Sequence, residues 1–436
     1  MSDTTRRDFL AASAVGAAAI LAPAGVYAAA DDNIKVGVIG TGGRGTGAAE
    51  NILAADKGIK IVALGDAFQW RVDACANNLR KKFKDRADVP ADRCFTGLDA
   101  YKKVLATDCD LVILATPPGF RPLHLEAAVA AEKHIFCEKP VAVDGTGIRK
   151  VLAAYEASLK TKKSIVAGTQ RRHQTGYLET MKRILGGEIG AITAATAYWN
   201  NNGIWFRDRK ELADRKKFIE NPTDVAYQLH NWYHFMWVCG DHIVEQHVHN
   251  LDVVNWAKQA HPVSCWAMGG RLNMGGNSNR RSGEPDVVGN IYDHFAVEYS
   301  YADGAKLHSF CRHFDGPGNV SEGLVGTKGV CRTEDRKEYT INGNQVFDPA
   351  SDNQPYVQEH VDLIASIRSG KAVNELKQVT ESTLTAIMGR MAAYTGRAVT
   401  WEQALNSKED TFPTGLKWDM ELKVTPAPIP GKTKLI

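Results

Sequence analysis

Short apolar runs alternate with longer amphipathic stretches through the first part of the chain. Val36, Val38 and Ile39 lie in one such run, residues 59–64 form a second, 110–115 a third and 134–137 a fourth. Runs of this length, rich in β-branched residues, suit strands buried on both faces of a parallel sheet. Residues 69–83, 98–106 and 123–132 between them read as helices. The order predicts an α/β N-terminal Rossmann domain over residues 31–163. The pattern then changes. Residues 164–168 read as a strand, 177–185 as a helix, 191–199 as an alternating strand and 241–256 as one helix. Residues 292–301 and 306–314 alternate around Ala302-Asp303-Gly304 and read as an antiparallel hairpin. Short strands at 330–332 and 339–342 and closing helices at 357–369 and 379–394 complete a second domain, 164–405. It is expected to be α+β with a large, mostly antiparallel open sheet. Residues 406–436 read as an extended tail.

The first run ends in Gly40-Thr41-Gly42-Gly43-Arg44-Gly45, a G-x-G-x-x-G turn leading into a helix. Gly40 permits the tight turn, Gly42 lets backbone approach a pyrophosphate, and Gly45 lets the helix pack closely on the strand. The helix N-terminus then offers free N–H groups and partial positive charge to phosphates. Asp66 closes the second run about 20 residues further on, where a carboxylate meets the adenosine ribose hydroxyls. Its charge favours NAD. Arg44 or Arg71, by pairing with a 2′-phosphate, would admit NADP. Strand ends at Gly40, Thr116 and Glu138 share one sheet edge, where open α/β sheets bind ligands. Lys139 follows directly at that edge.

The first ~30 residues differ from the rest. Thr5-Arg6-Arg7-Asp8-Phe9-Leu10 precedes an alanine-rich apolar run and small residues through Ala28-Ala29-Ala30. Residues 1–30 therefore read as a twin-arginine export signal, which places the mature protein in the periplasm. The run is too short for a permanent span, so no stable membrane span is expected after cleavage. Folded export suggests a cofactor loaded beforehand and held tightly. The net charge of +3 gives no argument for nucleic acid. The eight cysteines show no C-x-x-C or zinc-like spacing and read mainly as small buried residues, with one disulfide after export left open.

Residues 34–45 together with Ala115-Thr116-Pro117-Pro118 and Cys137-Glu138-Lys139-Pro140 resemble the Gfo/Idh/MocA family of sugar and polyol oxidoreductases. Residues 166–172, Gly326-Thr327-Lys328-Gly329 and the stretch from Thr395-Gly396 to Trp401 fit the same family. The resemblance implies a catalytic Lys139 and a dinucleotide site that includes Thr116, Pro117, His124 and Glu138 beside Gly40, Gly42, Gly43, Arg44, Gly45 and Asp66. It also implies a catalytic histidine, His249. Glu245 stands where the family usually has aspartate, and His247 where it often has glycine. The chemistry asks for these residue types. Hydride leaves a carbinol carbon as the hydroxyl loses its proton, and a histidine is a natural base. Glu245 and His249 are four apart and share a helical face, so the carboxylate is expected to orient the ring. Lys139 would stabilise the oxyanion or relay the proton. Arg171, Arg172 and His173 would border the substrate. Asp252 falls near the His249 face. Tyr198, Trp199, Trp205, Trp232 and Tyr233 are either core residues or platforms for a sugar.

The expected function is an exported NAD(P)-dependent oxidoreductase acting on a sugar or polyol hydroxyl, with a bound and recycled cofactor. An alternative is redox-neutral glycoside cleavage through a transient keto-sugar, although Gln246 stands where such enzymes carry a tyrosine. A third reading is a sugar-binding protein on a retained fold. His242, Glu245, His247 and His249 are dense in potential ligands. On a continuous helix, however, His247 and His249 point about 200° apart, and no metal site is expected. A sheet with one open face makes a homodimer or homotetramer the expected assembly.

Overall fold

A computed structural model describes residues 33–207, 209, 222–272 and 289–436. The twin-arginine segment and most of the charged stretch at 211–223 lie outside the described residues. The first sheet has six parallel strands: β1 (Ile34–Ile39), β2 (Ile59–Asp66), β3 (Cys94–Thr96), β4 (Leu111–Leu114), β5 (His134–Cys137) and β6 (Ile165–Ala167). Their order is β3-β2-β1-β4-β5-β6. β1 pairs with both β2 and β4, so the chain reverses direction across the sheet at the C-terminal end of β1, the switch point at which such folds bind ligands. Val36, Val38, Ile113 and Leu114 are fully or almost fully buried, because helices cover both faces.

Two sequence expectations shift here. β3 lies between the helices expected at 69–83 and 98–106, where the apolar pattern predicts no strand. It is three residues long, half-exposed and at the sheet edge, so it carries no hydrophobic run. β6 follows the helix α1 (Gly145–Ser158) and was assigned by chain position to the second domain, yet it pairs in parallel with β5.

Among the described residues the second sheet has nine strands, β8 (Ser264–Gly270) among them, and is antiparallel except for one pair. β7 (Ile192–Asn201) and β10 (Lys306–His313) run parallel, flanked by β9 (His294–Ser300) and β11 (Asn319–Gly326). The hairpin between β9 and β10 turns at Gly304, whose φ of 87° suits glycine. One sheet face is sealed by α2 (Val248–Lys258) and α3 (Leu376–Thr395), through Leu251, Val254, Leu384 and Met388. The other is open: Trp266, Met268 and Phe310 stand exposed on it.

The helix expected over 241–256 is broken. His242–Glu245 forms one short turn, and α2 begins afresh at Val248. The helix α4 (Pro355–Ser369) packs back onto the first sheet, with Leu363 and Ile364 in the core around Val36 and Ile113. All eight cysteines are free, and all but Cys94 are buried.

Candidate active site

A cleft of about 540 Å³ opens along the C-terminal edge of the first sheet and reaches the start of α2. Gly40, Gly42, Gly43 and Arg44 wall one end, with Asp66, Phe68 and Arg71. Thr116, Pro117, Arg121 and His124 follow, then Glu138 and Lys139. Glu245, Gln246, His249, Trp205 and Trp232 wall the other end.

The glycine turn has the geometry its spacing asks for. Gly40 has φ of 91°, and a Cβ there would press on Thr116 N at 2.5 Å. A Cβ on Gly45 would lie 1.7 Å from the Gly40 carbonyl oxygen, so the helix from Gly43 can seat on the turn only with glycine at 45. Gly43 is open to the cleft. Asp66 braces the turn: Thr41 N donates to its Oδ2 at 2.7 Å, and Phe68 N donates to Oδ1 at 3.0 Å. These features form a close-approach cradle for a dinucleotide, with helix N–H groups aimed at its phosphates. The two candidate phosphate cations separate. Arg44 is held within the cleft wall, its Nε donating to Glu138 and its Nη2 to Glu359 at 3.2 Å, with the guanidinium 4.8 Å over Tyr356. Arg71 stays at the cleft beside Asp66, its guanidinium 4.7 Å over the Trp70 ring.

Thr116 and His124 meet through Oγ1 and Nδ1 at 3.0 Å, and the imidazole lies 4.4 Å from the Tyr101 ring. Burial pushes its pKa down to about 3, so His124 is neutral. Arg121, fully buried, donates to Leu114 O at 2.6 Å and Pro140 O at 3.4 Å. It thereby ties the end of β4 to the turn that carries Lys139. No motif in the sequence singles out Arg121. Its only local signal is its place at the first turn of a helix directly after the Pro117-Pro118 strand end. Gln170, Tyr101 and Tyr356 also wall the cleft, and no spacing rule marks them.

At the far end, Lys139 Nζ donates to Glu245 O at 2.6 Å and reaches Glu245 Oε1 at 3.3 Å. Both side chains are about nine-tenths buried. The Glu245 carboxylate therefore serves Lys139 and not His249 as its hydrogen-bonding partner. The break before Val248 removes the shared helical face that predicted a Glu245–His249 contact. Burial raises the Glu245 pKa, against Lys139 and Arg121, which lower it. His249 stacks on Trp199 with ring centroids 5.8 Å apart. Burial, with Lys139, Arg171 and Arg44, drives its pKa well below the usual histidine range. The imidazole is thus held neutral.

The other predicted substrate residues lie elsewhere. Arg171 bonds Glu322 and stacks over Tyr177 at 5.5 Å. Arg172 makes a two-pronged pair with Asp252 at 2.8 and 2.9 Å, and Ser382 Oγ donates to the same carboxylate. These are buried ion pairs that join the second domain's layers, and neither arginine nor Asp252 walls the cleft. His173 pairs with Asp362 at 2.6 Å and Glu375 at 3.4 Å, which raise its pKa to about 10. Trp199 backs His249 without reaching the cleft. His247 Nε2 pairs with Ser309 Oγ at 2.7 Å and His242 Nδ1 with Asp241 at 3.0 Å, and both residues are fully buried and do not wall the cleft. Trp205, Trp232 and Tyr233 do reach the cleft.

Residues 34–163 match the Gfo/Idh/MocA family model, described as an oxidoreductase family with an NAD-binding Rossmann fold. The similarity to this family is thus confined to the first domain. Among curated proteins, the chain is similar to an inositol 2-dehydrogenase of Acidothermus cellulolyticus, 24% identical over 245 residues, which cover 56% of this chain and 59% of that protein. It is also similar to a glycosyl hydrolase family 109 protein of Streptomyces coelicolor, 30% identical over 189 residues, covering 43% and 37% of the two chains. The chain thus spans roughly half the length of the curated relatives it matches. The fold is that of GenD2 from gentamicin A biosynthesis, solved in complex with NAD. The TM-score is 0.63 at 15% identity over 86% of this chain and 98% of GenD2. The glycine turn, Asp66 and the Thr116–Pro117 strand end all lie within the matched residues.

Proposed function

We propose that this protein is an NAD-dependent oxidoreductase that moves hydride between the nicotinamide and a hydroxyl-bearing carbon of a sugar or polyol. One observation carries the reading. A single cleft joins the dinucleotide cradle to Lys139 and a neutral, buried His249. When bound, the cofactor supplies the hydride acceptor. The chain supplies the rest. His249 accepts the hydroxyl proton. The Lys139 ammonium, held by Glu245, stabilises the developing alkoxide. Arg121 holds the Lys139-Pro140 turn in place. Trp205 and Trp232 offer aromatic faces to the apolar side of a pyranose or inositol ring. NAD is favoured over NADP because Asp66 repels a 2′-phosphate and Arg44 is already paired.

Further parts of the reading rest on the sequence. Arg6-Arg7 and the apolar run after them support export by the twin-arginine route to the periplasm. A free nicotinamide pool is not expected there, so the cofactor is proposed to stay bound and to be recycled. The open sheet face, with Trp266, Met268 and Phe310 exposed, supports a homodimer or homotetramer. Incubation with NAD and a panel of inositols, aldoses and glycosides tests the activity. Reduced nicotinamide with a keto-sugar or lactone is the expected product pair. A cleaved glycoside with no net reduction would instead favour redox-neutral cleavage, the reading to which the Streptomyces coelicolor similarity lends support. Protein that binds no dinucleotide would leave the binding-protein reading.

A further inference from the structure

The segment after residue 405 has no helix or strand, yet it is built into the molecule. Thr411 donates through N and Oγ1 to Asp144 Oδ2 at 2.8 and 2.7 Å. Gln228 Nε2 donates to Leu422 O at 2.6 Å, and Leu422 N donates to Asp224 Oδ2 at 3.2 Å. Tyr292 OH donates to Pro428 O at 2.9 Å. Between these anchors the segment runs behind the outer side of the cleft. Phe412 sits edge-on to Phe120 at 5.2 Å and to Trp237 at 5.9 Å. Trp418 packs on Phe68 at 5.5 Å. Phe68 and Phe120 wall the cleft from the first domain, and Phe68 follows Asp66 by two residues. Leu229 walls the cleft from the second domain and shares the same apolar cluster.

We infer that Phe412 and Trp418 are positioning residues for the dinucleotide site. Acting through Phe120 and Phe68, they hold the two walls of the cleft together and slow cofactor release. The inference rests on the reading of the cleft as a dinucleotide site. The physical ground is that each aromatic side chain buries a large apolar area, which would return to water if the walls parted. Ends anchored by hydrogen bonds keep the segment from peeling away.

The test uses full-length protein loaded with NADH and chased with excess NAD, with release followed by nicotinamide fluorescence. Trp418→Ala and the Phe412→Ala/Trp418→Ala pair are expected to raise the dissociation rate about tenfold or more. The KM for dinucleotide should rise while the KM for the sugar stays unchanged. Trp418→Phe should restore slow release, since it keeps a ring against Phe68. Release at the wild-type rate from both alanine variants overturns the inference. Should they fail to fold, an engineered protease site at the exposed Thr414–Gly415 bond severs the segment in folded protein. Faster release after cutting supports the inference, and an unchanged rate overturns it. Wild-type protein that binds no NADH would sink the dinucleotide reading and the inference with it. Wild-type binding with unchanged variant rates defeats the inference alone.

Discussion

The two ends of the cleft are built by different means. At the dinucleotide end the important groups are backbone: glycines without side chains, helix N–H groups, and a carboxylate that accepts from Thr41 N and Phe68 N. These residues lie close together in sequence, and their geometry follows from local turn chemistry. At the other end the groups are side chains from distant elements. Lys139 and Glu245 are separated by 106 positions, and Arg121 and Trp199 are drawn in from different domains. There, charges are held out of water and must satisfy one another. At Gly40 and Gly45 the first end tolerates no added atom. The second is sensitive to the removal of a charge or a proton acceptor.

This contrast can be broken most directly at Gly45. Gly45→Ala places a methyl group 1.7 Å from the Gly40 carbonyl, so dinucleotide binding should vanish, as read by NADH fluorescence titration. Gly42→Ala meets only the flexible end of Arg71 at 2.7 Å, so it should leave the fold near wild-type stability and weaken binding only where its methyl group meets the pyrophosphate. Equal losses of thermal stability from both would show that the turn is not gripped by backbone at Gly45. At the other end, His249→Ala should lower kcat by about 10² to 10⁴-fold while leaving the dinucleotide Kd near wild type. A parallel loss of cofactor affinity would move His249 out of the proton-transfer role.

Arg171→Met sharpens the comparison differently. It leaves Glu322 buried without its cation and should destabilise the fold by about 3–5 kcal/mol in denaturant titration. The sugar KM of the folded enzyme should stay unchanged. A raised sugar KM at full stability would return Arg171 to the substrate.

The most gradual expected effect is on pH. His124 and His247 have pKa values of about 3 when folded, against about 6.5 unfolded. The unfolded chain takes up protons first as pH falls below 6.5, so stability is lost from there toward 3 at up to about 1.4 kcal/mol per histidine per pH unit. His173, raised to about 10, works in the opposite sense and loses its contribution as pH rises from 6.5 toward 10. Stability should therefore peak near neutrality. His124→Gln should flatten the acid side, and an unchanged slope would count against a neutral buried imidazole.

The glycine turn, Asp66, the buried strands and the Glu138-Lys139 strand end were legible because each depends on a short-range rule of spacing or burial. The parallel sheet and the β9–β10 hairpin followed in the same way. The Glu245–His249 pairing was misread because helical periodicity assumes an unbroken helix, and the chain breaks at Gln246-His247. Arg171, Arg172 and Asp252 looked like substrate residues because a charged side chain carries the same letter whether it faces a ligand or a buried partner. Residues of the first sheet's last strand, and helix α4, were placed with the second domain because chain order does not record which sheet a segment joins.

By itself, then, the sequence determined the local chemistry of this protein: a strand, a glycine turn, a helix N-terminus and a carboxylate spaced to meet a dinucleotide. It also marked Lys139 and His249 as the residues to watch. Tertiary structure alone decided which carboxylate serves Lys139, which histidine faces the cleft and which arginines are locked away. It alone laid residues 412–424 behind the cleft wall. The physical reason is range. Turn geometry and backbone hydrogen bonds are set within a few residues. Burial, ion pairing and the pKa values they shift depend on neighbours that only the folded chain brings together.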